Sequence, residues 1–241
     1  MTLTIAFDLD GTLIDTPSAI VQTFAAVFAA MGETPPDAAA TRATIGLPLP
    51  RAFGSLLGLG DDDARVAEAV GLYQTFFREI VLPRGRELIF PGVVDGLAAL
   101  RASGMTLTVA TSKFHASAEA LLRAAGIWDE FTVVLGADEV SRPKPEPEMV
   151  LRIIEKLCVT ANSTIVVGDT THDLTMANAA GARAIAVSYG VHAAADLWAL
   201  EPVTVADTFD DVVACLKELA DTAQQTQRCD SQHGPVGAFG P

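Results

Sequence analysis

The stretch "IAFDLDGTLID" (residues 5–15) runs from apolar residues straight into two aspartates, Asp8 and Asp10, and then a glycine. Two like charges that close together do not suit the interior of a buried strand or helix. They suit the carboxyl end of a strand, where a parallel sheet opens onto its loops. Working outward, the strand "LTIAF" (3–7) has five companions rich in β-branched residues: "MTLTVAT" (105–111), "FTVVLG" (131–136), "STIVVGD" (163–169), "ARAIAVS" (182–188) and "VTVA" (203–206). Helical patterns lie between them at 93–103, 115–125, 145–157, 172–180 and 209–220. This alternation, regular from residue 88 onward, predicts an α/β fold, a doubly wound parallel sheet covered by helices on both faces.

Residues 16–88 break the rhythm. Ile20, Val21, Phe24, Val27 and Phe28 recur at helical spacing, Pro35, Pro36, Pro48 and Pro50 punctuate, and a further helix is expected over 61–81. With no strand signal there, the interval is read as an all-helical second domain inserted into a core of residues 1–15 and 89–220. The last segment, 221–241, loses periodicity, gains Gln, Gly and Pro, and reads as a disordered tail.

The 241 residues carry 16 Lys plus Arg against 30 Asp plus Glu, a formal net charge of −14, with half the chain apolar. An acidic surface without a basic run argues against nucleic acid and anionic lipid as partners. Cys158, Cys215 and Cys229 match no metal-ligand spacing, which favours a reducing compartment. No signal-like N-terminus is visible, and no apolar run reaches the ~18 residues of a membrane span. A cytoplasmic protein is the expectation.

Polar groups gather at several strand ends. Asp8 and Asp10 follow the first strand, Thr111 and Ser112 end the second, Asp169 ends the fourth with Asp173 just beyond, and "SRPKPEP" (141–147) offers Lys144 from a Pro-stiffened loop. Four clustered carboxylates repel one another by roughly 4 kcal/mol per pair at ~4 Å and an effective dielectric of about 20. A hard cation relieves this, and an all-oxygen donor set too small for a closed cage points to Mg²⁺, with water and a substrate phosphate completing the octahedron. With Mg²⁺ and Lys144 offsetting charge, a carboxylate can attack phosphorus while a neighbour serves as acid and base. The Asp8/Asp10 pair suits that division of labour.

Taken together, "DLDGT" (8–12), Thr111 in "VATSK" (109–113), Lys144 in "RPKPEP" (142–147) and "GDTTHDLTMANAAGA" (168–182) resemble, in order and spacing, the four motifs of the haloacid dehalogenase superfamily. The likeness spans residues 3–220 and falls in the phosphatase branch. It implies Asp8 as nucleophile and metal ligand, and Asp10 as general acid/base whose backbone carbonyl also reaches the metal. It implies Thr111 as a hydrogen-bond donor to the phosphoryl group, and Gly11 and Ser112 as further phosphate contacts. Lys144 steadies nucleophile and phosphoryl oxygens, Asp169 binds Mg²⁺, and Asp173 assists through water or Lys144 rather than directly. Gly11 and Thr12 form the turn that lets a cap open and close.

The insertion resembles the helical cap of the phosphoglycolate phosphatase-like subgroup, and "IGLPL" (45–49) is a phrase of that subgroup. A small phosphorylated metabolite is therefore the expected partner of a monomer or homodimer. The first candidate is 2-phosphoglycolate, followed by pyrophosphate and nucleotide monophosphates. A β-phosphoglucomutase-like phosphomutase is the alternative, and a non-catalytic phospho-aspartate switch a more distant one. Arg42 and Arg51 flank "ATIGLPLP" (43–50) and are candidates to meet a substrate carboxylate or second phosphate. Lys113, His115 and His172 are assigned no role, each histidine lying where a helix begins.

Overall fold

The computed structural model describes residues 2–232. Its framework is a parallel sheet of β1 (Thr4–Phe7), β2 (Thr106–Ala110), β3 (Val133–Leu135), β4 (Thr164–Gly168), β5 (Arg183–Val187) and β6 (Val205–Ala206), in the order β3-β2-β1-β4-β5-β6. Both faces of the central strand are buried, so its side chains are apolar on each side of the pleat. Ile5 and Phe7 join one core with Leu97, Phe209 and Leu216, while Ala6 faces another with Met149, Val150 and Leu174.

Helices α1 (Pro17–Ala30), α2 (Ala38–Arg42), α3 (Leu49–Leu57) and α4 (Ala64–Ile80) follow β1 before the chain returns to the sheet through α5 (Val93–Ala102). Thereafter α6 (His115–Ala125), α7 (Glu148–Leu157), α8 (Thr171–Ala179), α9 (Ala194–Trp198) and α10 (Phe209–Gln232) alternate with the strands. The predicted α/β class and parallel sheet are those observed.

The four inserted helices start and stop where local chemistry requires. Pro17 opens α1 with its φ already helical. Asp37 and Asp63 cap α2 and α4 by accepting from the backbone N–H of Ala40 (2.6 Å) and Arg65 (2.8 Å). Gly58 closes α3 at φ +68°, a left-handed conformation that costs glycine little. The helices pack through an aromatic cluster in which Phe24 stacks on Phe53 at 4.4 Å and meets Tyr73 edge-on at 5.2 Å.

The end of the described chain differs from the sequence reading. Helix α10 continues past Asp221 to Gln232, so 221–232 is helical rather than irregular. Ala and Gln are good helix formers, and losing the amphipathic pattern there removes a packing face without removing helix propensity. The rest of the expected tail, 233–241, lies outside the described residues.

Register aligns the strand ends. Phe7 pairs with Val109 on one side and Val167 on the other. Asp8 N donates to Val167 O at 2.8 Å and Thr111 N to Leu135 O at 3.0 Å, which keeps those ends level. The sheet extends from β1 toward β2 on one flank and β4 on the other, so Asp8 stands at the point where strand order reverses, the usual crevice for a ligand in such sheets.

Candidate active site

Asp8, Asp169 and Asp173 converge beyond β1 and β4, with one carboxylate oxygen of each within 4.8 Å of the others. All three are buried, as is Lys144 at 1% exposure. Lys144 Nζ donates to Asp8 Oδ1 at 2.6 Å and to Asp173 Oδ1 at 2.5 Å. Its loop is held by Glu148, whose carboxylate accepts from the backbone N–H of Ser141 (3.0 Å) and Arg142 (2.7 Å).

Each carboxylate is fixed by its own partners. Asp169 accepts from Thr12 Oγ1 at 3.0 Å and Val191 N at 2.8 Å. Asp173 accepts from Thr170 through both its N–H (3.1 Å) and Oγ1 (2.6 Å), closing a capping box at the start of α8. Glycine is required around Asp169. A Cβ on Gly11, whose φ is +84°, would lie 2.2 Å from Asp169 Oδ2, and one on Gly190 would lie 2.2 Å from Asp169 Cβ.

The electrostatics are strained by burial. Desolvation, opposed by Lys144 and reinforced by Asp173 and Asp10, pushes the Asp8 carboxyl up to about 7. Desolvation, then the charges of Asp8 and Asp173, raises Asp169 well above the usual carboxylate range. Burial works against the ammonium of Lys144, but Asp173 and Asp8 outweigh it and raise its pKa, so it stays charged. One cation among three buried carboxylates leaves excess negative charge. The all-oxygen donor set and that unbalanced charge fit a hard divalent cation, with Asp8 as the freest ligand among the described residues, because only its Oδ1 accepts a hydrogen bond, whereas both oxygens of Asp169 and of Asp173 already do.

Asp10 points elsewhere. Its Oδ1 accepts from Thr16 Oγ1, and its Oδ2 lies 3.1 Å from Lys113 Nζ in a nearly buried ion pair. Thr111 is buried at the end of β2, its Oγ1 accepting from Lys113 N at 3.2 Å. The hydroxyl of Ser112 donates to Gly46 O at 2.5 Å, joining the inserted segment to the sheet.

Asp8, Asp10, Thr111, Ser112 and Lys113 line one side of a cavity of about 50 Å³, and residues of α1, α3, α4 and the loop 44–47 line the other. The structure therefore brings Asp8, Lys144, Asp169 and Asp173 together and sets Asp10, Thr111 and Ser112 on the same cavity. Arg42 and Arg51 are not on that lining. Arg42 donates to Ser18 Oγ at 3.0 Å and Arg51 pairs with Asp61 at 3.7 Å. Both sit on the inserted helices α2 and α3, and which side chains of those helices reach the cavity is not revealed by spacing alone. Lys113, Tyr73 and Phe77 are lining residues to which sequence reasoning gives no role. Lys113 lies two residues after Thr111 in "ATSK", whereas nothing in the sequence marks Tyr73 or Phe77.

The comparisons agree with this geometry. A family model described as haloacid dehalogenase-like hydrolase matches residues 5–187. The probable phosphatase IndB of Dickeya dadantii is 53% identical over 215 residues, covering 89% of this chain and 94% of that protein. A phosphoglycolate phosphatase of Chromobacterium violaceum is 33% identical over 214 residues, covering 86% and 94%. Among solved structures, a haloacid dehalogenase-like hydrolase from Bacteroides fragilis superposes with a TM-score of 0.81 at 25% identity, over 88% of this chain and 100% of that one.

Proposed function

The chain belongs to the haloacid dehalogenase-like hydrolase family, and from that premise we propose that it is a Mg²⁺-dependent phosphatase of small phosphate monoesters working through an aspartyl phosphate on Asp8. The observation that carries this reading is Asp8 held at the end of β1 by the buried ammonium of Lys144, within reach of Asp169 and Asp173. The phosphatase names of its relatives support it.

Asp8 and Asp169, with Asp173 behind them, would hold the cation. When bound, Mg²⁺ supplies the positive charge that lets an anionic carboxylate approach an anionic phosphoryl group. An Asp8 oxygen forms a new bond to phosphorus as the ester P–O bond breaks, and Asp10 gives its proton to the leaving oxygen. Lys144 favours the ionised form of Asp8 and aims it, and the Thr111 hydroxyl donates to a phosphoryl oxygen. Water then attacks phosphorus and passes a proton to Asp10; the acyl phosphate P–O bond breaks, releasing inorganic phosphate and restoring the Asp8 carboxylate. The inserted helices α1–α4 act as a cap that excludes bulk water and large substrates. The free thiols of Cys158 and Cys215 accord with a cytoplasmic setting, and no helix among the described residues is long and apolar enough to cross a membrane.

The test is phosphate release across a panel of small phosphate esters. Asp8→Asn abolishes turnover while keeping the fold, Asp10→Asn slows it about 10²-fold or more, and EDTA silences the wild type. Ordinary turnover by Asp8→Asn contradicts the nucleophile assignment.

A further inference from the structure

The part of the cavity that must receive the leaving group is almost uncharged on the side of the inserted helices. Ile20, Phe24, Leu47, Leu49, Tyr73 and Phe77 form that wall. The two arginines expected to read a second anion are off the lining, already engaged with Ser18 and Asp61. Among the described residues, Lys113 is the one cation on the lining. It is committed twice, to Asp10 at 3.1 Å and to the face of the Phe77 ring at 4.3 Å. Against it stand the carboxylates of Asp8 and Asp10 on the same cavity. A substrate carboxylate here would lose its water, meet like charges, and gain a cation only by taking Lys113 from Asp10.

An apolar group meets none of these costs and gains contact with aromatic rings already clustered, Phe24 with Tyr73 at 5.2 Å and Tyr73 with Phe77 at 5.9 Å. The Tyr73 hydroxyl makes no hydrogen bond among the described residues and offers that wall a neutral polar contact. There is also room outward. The cavity shares Phe77, Phe114 and Ser117 with a neighbouring groove of about 440 Å³ that Leu82, Ala120 and the opposite charges of Arg78 and Asp138 also line.

We propose that this site selects phosphate esters of neutral, apolar alcohols, the leaving group lying against Phe24, Tyr73 and Phe77 with its far end directed between Phe77 and Phe114, and that it disfavours esters whose alcohol carries a carboxylate. The proposal rests on the phosphatase reading and deepens it. It also reverses the order of substrates that motif resemblance alone suggests.

The test compares kcat/KM for benzyl phosphate and 2-phosphoglycolate, with p-nitrophenyl phosphate as an activated ester whose leaving group needs little help from an acid. Benzyl phosphate exceeds 2-phosphoglycolate by at least tenfold. Leu47→Arg, on a half-buried loop position of the cavity wall, supplies the missing cation and moves the ratio at least tenfold toward 2-phosphoglycolate. A wild-type kcat/KM for 2-phosphoglycolate equal to or above that for benzyl phosphate overturns the proposal while leaving the phosphatase reading intact. An unchanged ratio in a folded Leu47→Arg protein overturns the claim that the charge of this wall sets selectivity. No phosphate release from any of the three esters overturns the phosphatase reading, and this inference with it.

Discussion

Asp8 carries the conflict between charge and burial on which the chemistry depends. Its carboxyl is pushed up to about 7 in the folded protein, first by desolvation and then by Asp173 and Asp10 against the pull of Lys144. Unfolded, the same group releases its proton near 3.8. Between those values the folded state binds more protons than the unfolded one. The metal-free protein therefore loses stability as pH rises through that window. A cation that ligates Asp8 must displace that proton, which at about pH 5.5 costs roughly 2 kcal/mol and above about pH 8 almost nothing. Thermal melts with and without Mg²⁺ should show stabilisation that grows from about pH 5.5 to about pH 8; equal or shrinking stabilisation would remove Asp8 from the ligand set. At this scale the sequence is most legible where residue type and place in the chain both constrain the chemistry. Asp8, Lys144, Asp169 and Asp173 have few alternatives at loop ends beside a strand. Arg42 and Arg51 lie off the cavity lining, and a long flexible cation near a motif carries no information about the direction it faces.

Among the elements, α1, α3 and α4 depend on one another through Phe53. Its ring is fully buried, stacked on Phe24 at 4.4 Å and edge-on to Tyr73 at 6.0 Å. Phe53→Ala leaves a cavity in this small cluster and should cost about 3–5 kcal/mol, read as a lowered urea midpoint. Because Phe24 and Tyr73 also line the substrate cavity, KM should rise as well. A loss under about 1 kcal/mol would mean that these helices are held by something other than this stack. The strands are readable because parallel strands covered on both faces leave continuous β-branched runs, as in "STIVVGD". The extension of α10 is not, since an amphipathic pattern reports packing rather than helicity, and residues after Asp221 keep helix-forming types without an apolar face.

For the whole molecule, strand order and register convert distant sequence positions into one site. Pairing of Phe7 with both Val109 and Val167 levels the ends of β1, β2 and β4, and residues 8, 111 and 169 emerge side by side. The α/β class is legible from alternation alone. The strand order and the way the inserted helices face the sheet are not, because both are settled by long-range packing that no local pattern encodes. Every step of the proposed reaction requires that the phosphoryl group pass through Asp8. The direct test is to quench the Mg²⁺-loaded protein during turnover of a phosphate ester, reduce with borohydride, and locate the reduced residue by peptide mass. Reduction of the residue at position 8, and its absence without substrate, is the predicted result. Steady phosphate release with Asp8 unmodified throughout would contradict it.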